Sequence, residues 1–245
     1  MRVTRIHIAG PLAPGREITL PEQAGQHLVR VLRLAVGASF VIFDGSGGEF
    51  TAEITAAGKQ VRARVLGHDA VERESPLDIT LLQGIARGER MDLIVQKATE
   101  LGVARIVPVI AERSVVKVDA KLRERKREHW QSIVISACEQ CGRNRVPPVA
   151  QPQALGDAMK SLPADSVRCL LAADGRESLA GVASGAAHRP IVLLIGPEGG
   201  LADAERKYSL AQEFVACRLG PRIMRTETAG LAALAALQTA AGDFK

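Results

Sequence analysis

Apolar and polar positions along the chain fall into two regimes. Up to about residue 70 the runs are short and alternate, as in half-buried strands. Val3–Ala9, Arg16–Leu20, Ser39–Phe43, Glu49–Ala57 and Gln60–Leu66 are predicted strands, the last two joined through Ala57-Gly58-Lys59 as a hairpin. Pro21–Leu32 reads as a helix opened by proline, with Leu28, Val31 and Leu32 on one side. Asp44-Gly45-Ser46-Gly47-Gly48 is a turn that needs positive φ. Many short strands with glycine turns predict a small barrel. Ala70–Pro76 is charged, aperiodic and closed by proline, so the domain boundary is placed there, giving domains 1–74 and 75–245.

Beyond it, strands alternate with helices, which predicts an α/β fold with a parallel, roughly Rossmann-like sheet. The strands are Asp78–Gly84, Val103–Ile110, Val167–Ala173, Ile191–Ile195 and Phe214–Leu219; the helices are Arg87–Leu101, Asp119–Cys141, Ala202–Gln212 and Thr226–Ala240. The run Ile191–Ile195, bounded by Pro190 and Gly196, has the apolar continuity of a strand buried on both faces. It runs into Gly196-Pro197-Glu198-Gly199-Gly200, a turn where open α/β sheets place ligands. The plain alternative is a tight strand–helix connection without a ligand. A second glycine turn, Leu219–Ala229, joins a strand to a helix, offers Thr226 as N-cap, and crowds Arg222, Arg225 and Glu227 together.

Composition adds little except in its distribution. The net charge is +5, and residues 77–150 hold thirteen Lys/Arg against nine Asp/Glu, so the surplus is central. That is compatible with nucleic acid without requiring it. No apolar run reaches membrane length, and Met1–His7 has no signal-peptide core. Four cysteines imply no disulfide framework, so a reducing cytoplasm is the expected location. Cys138-Glu139-Gln140-Cys141 lacks further ligands for zinc and closes a helix, so it reads as buried small residues, and no metal is expected. The charge run Lys121–Glu128 is expected as a solvated helix face. The Arg143-Asn144-Arg145 loop is either a phosphate binder or a helix-end cap. No P-loop, dinucleotide fingerprint or hydrolase elbow occurs.

Read together and in order, several motifs resemble one family. They are His27–Arg33, Gln96–Val103, Glu112-Arg113-Ser114, Glu139-Gln140-Cys141-Gly142-Arg143, Gly196–Gly200 and Leu219–Ala229. They resemble the RsmE family of 16S rRNA uridine-N3 methyltransferases, in the SPOUT superfamily, over the whole chain. Cys141 stands where the family has Ser and Met224 where it has Leu. The resemblance implies a PUA-like β-barrel followed by a SPOUT domain with a C-terminal trefoil knot. It implies S-adenosylmethionine as methyl donor, a homodimer, and the small ribosomal subunit as partner. Donor contacts are expected from Ala172, Ala173, Ile195, Gly196, Glu198, Gly199, Gly200, Leu219, Gly220, Ile223, Met224 and Thr228. Arg225 is the candidate catalytic residue, with Glu198 and Glu227 ranked lower as bases. Arg2, Arg5, Arg30, Arg33, Arg143 and Arg145 are expected to meet RNA. The rival readings are a non-catalytic RNA-binding or assembly protein and a methyltransferase of the same superfamily acting on tRNA.

Overall fold

The computed structural model describes residues 4–114, 119–184 and 189–244. Contacts divide the chain into two units, Met1–Glu74 with Cys138–Val146, and Ser75–Ala137 with Pro147–Lys245. The segment Cys138–Val146, which the chain's pattern assigns to the second domain, therefore packs as part of the first unit.

The first unit holds β1 (Arg5–His7), β2 (Glu17–Thr19), α1 (Glu22–Gln26), β3 (Ser39–Phe43), β4 (Glu49–Ala57) and β5 (Val61–Asp69). They form one sheet in the order β1-β3-β4-β5-β2, antiparallel except for the β1–β3 pair. Alternation buries Val61, Ala63 and Val65 of β5 and turns Arg62, Arg64 and Leu66 outward. The buried set packs with Ile6, Phe40, Ile42, Ile54 and Leu28. The helix predicted over Pro21–Leu32 changes register partway: His27–Val31 is a single π turn, closed by the Leu32 N–H on the His27 carbonyl at 3.0 Å.

Two arginines expected on an RNA-facing surface are enclosed in this unit. Arg5 pairs with Glu49 and donates to Asn144 Oδ1 at 2.6 Å. Arg143 is 6% exposed and pairs with Glu74 through both Nε and Nη2. Glu139 accepts the His7 N–H at 2.9 Å, and Asn144 Nδ2 donates to the Val71 carbonyl at 2.8 Å. The Glu139–Arg143 motif thus fastens its segment to β1 and to residues 71–74. Burial raises the Glu49 pKa, but hydrogen bonds from Arg73 and Arg5 outweigh it and hold the carboxyl below its ordinary value. Removing Arg143 strips Glu74 of its main partner. Arg143→Ala should cost about 3 kcal/mol in urea unfolding; a loss under about 1 kcal/mol would mean that solvent relieves Glu74.

The second unit holds β6 (Ile79–Gly84), α2 (Glu89–Glu100), β7 (Arg105–Ile110), α3 (Ala120–Cys141, its last turn counted with the first unit), β8 (Gln153–Ala154) and α4 (Leu155–Lys160). It continues with β9 (Val167–Leu171), β10 (Glu177–Ser178), α5 (Leu179–Ser184), β11 (Ile191–Ile195), α6 (Asp203–Ala211), β12 (Val215–Arg218) and α7 (Thr226–Ala241). The sheet runs β10-β12-β9-β11-β6-β7-β8 and every named pair is parallel. All five residues of β11, its central strand, are buried, as the apolar run predicts. On one face Leu82, Val192 and Leu194 pack with Val107, Leu155, Met159 and Phe214. α7 lies along β11 and β6 and packs on α2 and α5. Gly230 allows this closeness, since a Cβ there would sit 3.2 Å from Gln83 Oε1 and 3.5 Å from Ile195 Cγ1.

Gly102 ends α2 with φ +80°. The Gly102 and Val103 N–H groups bond to the Thr99 and Ala98 carbonyls, closing a Schellman motif. Gln238 of α7 is fully buried there, donating to the Leu101 carbonyl and accepting from Ser75 Oγ. The Cys138 thiol is buried and pushed up to about 12 by desolvation, so it is an unreactive packing group, as read for the C-x-x-C, whereas Cys141 is only half-buried.

Candidate active site

Three loops meet at the carboxyl ends of β9, β11 and β12, and the local sequence explains how they lie so close. Gly84 ends β6 directly under the Gly196-Pro197 turn. A Cβ on Gly84 would strike the Pro197 nitrogen, and would sit 2.6 Å from Pro197 Cδ and 2.8 Å from the Gly196 carbonyl carbon. Gly175 is equally tight, its Cβ position falling 2.6 Å from the Cys217 carbonyl carbon. Side chains at either point would force the loops apart.

Thr226 is expected as an N-cap, but the N-cap position belongs to Arg225 and Thr226 is the first helical residue. Its hydroxyl donates to the Gly196 carbonyl at 2.6 Å and accepts from Gln83 Nε2 at 3.0 Å, while Gln83 Nε2 also donates to the Gly84 carbonyl. The end of β6, the β11 loop and the start of α7 are therefore tied at one buried point. Glu205 secures the far side of the loop, accepting the Ala202 and Glu112 N–H groups, each at 2.9 Å.

These loops enclose a cavity of about 580 Å³, within the range of small-molecule sites. Of the residues expected around a donor, Ala172, Ala173, Ile195, Gly196, Glu198, Gly200, Ile223 and Met224 line it, as does Arg225. Leu219 and Gly220 line a smaller adjoining cavity of about 100 Å³, which shares Ala172, Ala173, Ile223 and Met224 with the first. Gly199 lines neither; it lies against Arg113, and a Cβ added to it would fall only 3.0 Å from Arg113 Cβ. Thr228 also lines neither, because the first turn of α7 points it to solvent.

The cavity wall also holds groups with no local sequence signal. Arg90, from α2, reaches Glu198 Oε1 at 3.2 Å and Glu227 Oε1 at 3.8 Å. Glu198 also accepts the Arg87 N–H at 2.9 Å. Burial raises the Glu198 pKa, but its backbone hydrogen bonds and Arg90 outweigh it, so the carboxylate stays charged below its usual range. Asp174 is lowered chiefly by its hydrogen bond from Arg206, 2.8 Å away. Glu227 Oε2 is buried and has no hydrogen-bond partner among the described residues. Arg225 is exposed and has no ion-pair partner among the described residues.

Apolar walls, backbone groups at glycines and an unpaired acceptor suit a ligand with a flat apolar body and several polar edges. Gly200, at φ +69°, has open space where a side chain would begin. No group of three His, Cys, Asp or Glu side chains is placed to hold a metal ion among the described residues.

Of the other arginines expected to meet RNA, Arg30 and Arg33 are exposed around the π turn of the first unit, Arg33 at φ +56°. Arg145 is exposed and paired with Glu72 at 2.9 Å. Arg2 lies outside the described residues. Arg30 also borders a cleft of about 290 Å³ between α1 and the β4–β5 turn, with Lys59 on its rim.

A family model described as an RNA methyltransferase domain matches residues 73–238, and one described as an RNA methyltransferase PUA domain matches residues 20–66. Ribosomal RNA small subunit methyltransferase E of Bacillus subtilis is 34% identical over 86% of this chain and 85% of its own. The protein of the same name from Buchnera aphidicola is 32% identical over 99% and 98%. The crystal structure of ribosomal RNA small subunit methyltransferase E from Neisseria gonorrhoeae, bound to S-adenosyl methionine, aligns over the full length of both chains with a TM-score of 0.92 and 39% identity. A Legionella pneumophila methyltransferase solved with the same cofactor aligns equally well, at 40% identity.

Proposed function

The chain belongs to the ribosomal RNA small subunit methyltransferase E family of RNA methyltransferases, and from that premise we propose that it methylates N3 of a uridine in 16S rRNA. The methyl donor in this reading is S-adenosylmethionine, which when bound supplies a methyl group on a positively charged sulfur. The observation that carries the reading is the glycine-walled cavity, in a chain whose full-length relatives from Neisseria and Legionella hold that donor.

Each group in the wall has a task that follows from its chemistry. Leu171, Ile223 and Met224 offer apolar surface to a purine ring. The backbone at Ile195–Gly200 and Leu219–Gly220 offers N–H and C=O groups at close range, with no Cβ in the way at the glycines. Thr226 and Gln83 hold these loops fixed, so that donor and acceptor are kept in line. Uridine N3 carries a proton and is a poor nucleophile until it loses it. Arg225, an exposed cation at the cavity wall, stabilises the negative charge that builds on the base.

The same reading places RNA on Arg30, Arg33 and Arg145, keeps Arg2 as an RNA contact on the family resemblance alone, and leaves Arg5 and Arg143 to hold the fold. It also includes a homodimer, a C-terminal trefoil knot of the SPOUT type and action in the cytoplasm, all three from the family resemblance. No described helix is long and apolar enough to cross a membrane. The deciding experiment is mass mapping of rRNA modifications in cells lacking the gene and in complemented cells. We expect one 3-methyluridine in 16S rRNA to disappear and return. An unchanged 16S map with a change in tRNA would favour the rival substrate, and no change in any RNA would favour a binding role.

A further inference from the structure

The wall of the cavity carries a pattern that fits one nucleobase edge. The imide edge of uracil presents an acceptor, a donor and an acceptor: O4, N3–H and O2. Its complement is donor, acceptor, donor. Glu227 and two arginines, Arg90 and Arg225, line the same cavity. Glu227 is the acceptor in question, since its Oε2 is buried without a hydrogen-bond partner among the described residues. A desolvated carboxylate oxygen with no donor is costly unless a ligand brings one. The other carboxylates of the wall are already engaged, Glu198 by the Arg87 N–H and Arg90, and Asp174 by Arg206.

We propose that Glu227, flanked by Arg90 and Arg225, reads the imide edge of the target base and takes the N3 proton during transfer. This rests on the uridine-N3 reading above and assigns its base. The proton passes from N3 to Glu227 Oε2. The electron pair of the N–H bond stays on N3 and becomes the pair of the new N–C bond. The pair that held the methyl group remains on the donor's sulfur, and the proton on Glu227 is later lost to water. Arg90 lies 3.8 Å from Glu227 Oε1 and is itself held by Glu198 at 3.2 Å. Both guanidiniums are donors only, so they suit O2 and O4 and stabilise the charge that spreads onto them. Cytosine presents a bare N3 acceptor to the carboxylate and an amino group to a guanidinium. Both are mismatches, so the same three side chains reject it.

The test uses the full-length protein, Glu227→Gln and Glu227→Asp, with two RNA probes: the rRNA fragment that the wild type methylates, and that fragment with cytidine at the modified position. Donor affinity is measured by calorimetry with S-adenosylmethionine. RNA affinity is measured by filter binding in the presence of S-adenosylhomocysteine. For the wild type we expect 3-methyluridine as product and at least about tenfold tighter binding of the uridine probe. For Glu227→Gln, whose amide oxygen still accepts a hydrogen bond but cannot take the proton, we expect donor affinity within about twofold of wild type, a retained uridine preference, and methyl transfer slowed at least about 100-fold. Glu227→Asp keeps an acceptor and should retain the uridine preference with a slower rate. A wild-type product other than 3-methyluridine would overturn the uridine reading and this inference with it. With 3-methyluridine as product, a Glu227→Gln enzyme that keeps its rate would overturn the inference alone. Donor affinity falling more than about tenfold in Glu227→Gln would assign the carboxylate to the donor instead, and would also overturn it.

Discussion

Arg225→Ala should slow methyl transfer by about 10²–10³-fold, the usual effect of removing one preorganised donor to a developing oxyanion, while the melting curve and donor affinity hardly move. The expectation of an isolated catalytic effect comes from where Arg225 sits. It is the N-cap residue of α7, extended at φ −66° and ψ 155°, and its side chain makes no capping bond. The start of the helix is held by Thr226 through Gly196 and Gln83. The exposed guanidinium contributes no ion pair to the fold among the described residues, so truncating it leaves no buried partner behind. Single-turnover rates with saturating donor isolate the step. A rate within about threefold of wild type would remove Arg225 from the reaction. A large fall in melting temperature would make it a structural residue.

Gly84→Ala should have the second large effect, although Gly84 is expected to touch neither donor nor RNA. The added methyl group meets the Pro197 nitrogen, Pro197 Cδ and the Gly196 carbonyl carbon, all of them backbone or ring atoms. A flexible side chain can swing aside, but these atoms move only if the β11 loop moves. We expect about 2–3 kcal/mol of destabilisation, the cost of an overpacked core. We also expect donor affinity to fall at least about tenfold, because the Gly196–Gly200 wall is displaced. Gly58→Ala is the matched control: nothing lies within 4 Å of a Cβ at Gly58, and its φ is not positive. That variant should stay within about 0.5 kcal/mol of wild type. Equal stability and donor affinity in Gly84→Ala would show that the turn is not clamped as described.

Much of this site is visible in the residues themselves, because its backbone is built from strong local signals. Five apolar residues closed by Gly196 identify the central strand, and the glycine turns at 196–200 and 219–220 mark the ligand end of the sheet. What escapes the sequence is what acts across distance. Gln83 and Thr226 are 143 residues apart in sequence, and nothing near either announces the bond between them. Arg90 reads as an ordinary surface residue in the first turn of a helix. Arg5 and Arg143 have the composition of an RNA contact, yet Glu49 and Glu74 claim them first. The elements that go unpredicted are those too short to show a period: β8 and β10 have two residues each, and α4 and α5 six. The π turn at His27–Val31 occupies a stretch read as helical, but of the side predicted to be apolar only Leu28 is buried, while Val31 and Leu32 are exposed.

In the proposed reading, the cavity between Ala172–Ala173, Ile195–Gly200 and Leu219–Arg225 holds the methyl donor. Calorimetric titration of S-adenosylmethionine into the purified wild-type chain tests it most directly. We expect saturable heat with one donor bound per chain and a Kd below about 1 mM. The absence of saturable heat from well-folded protein at millimolar donor would contradict it.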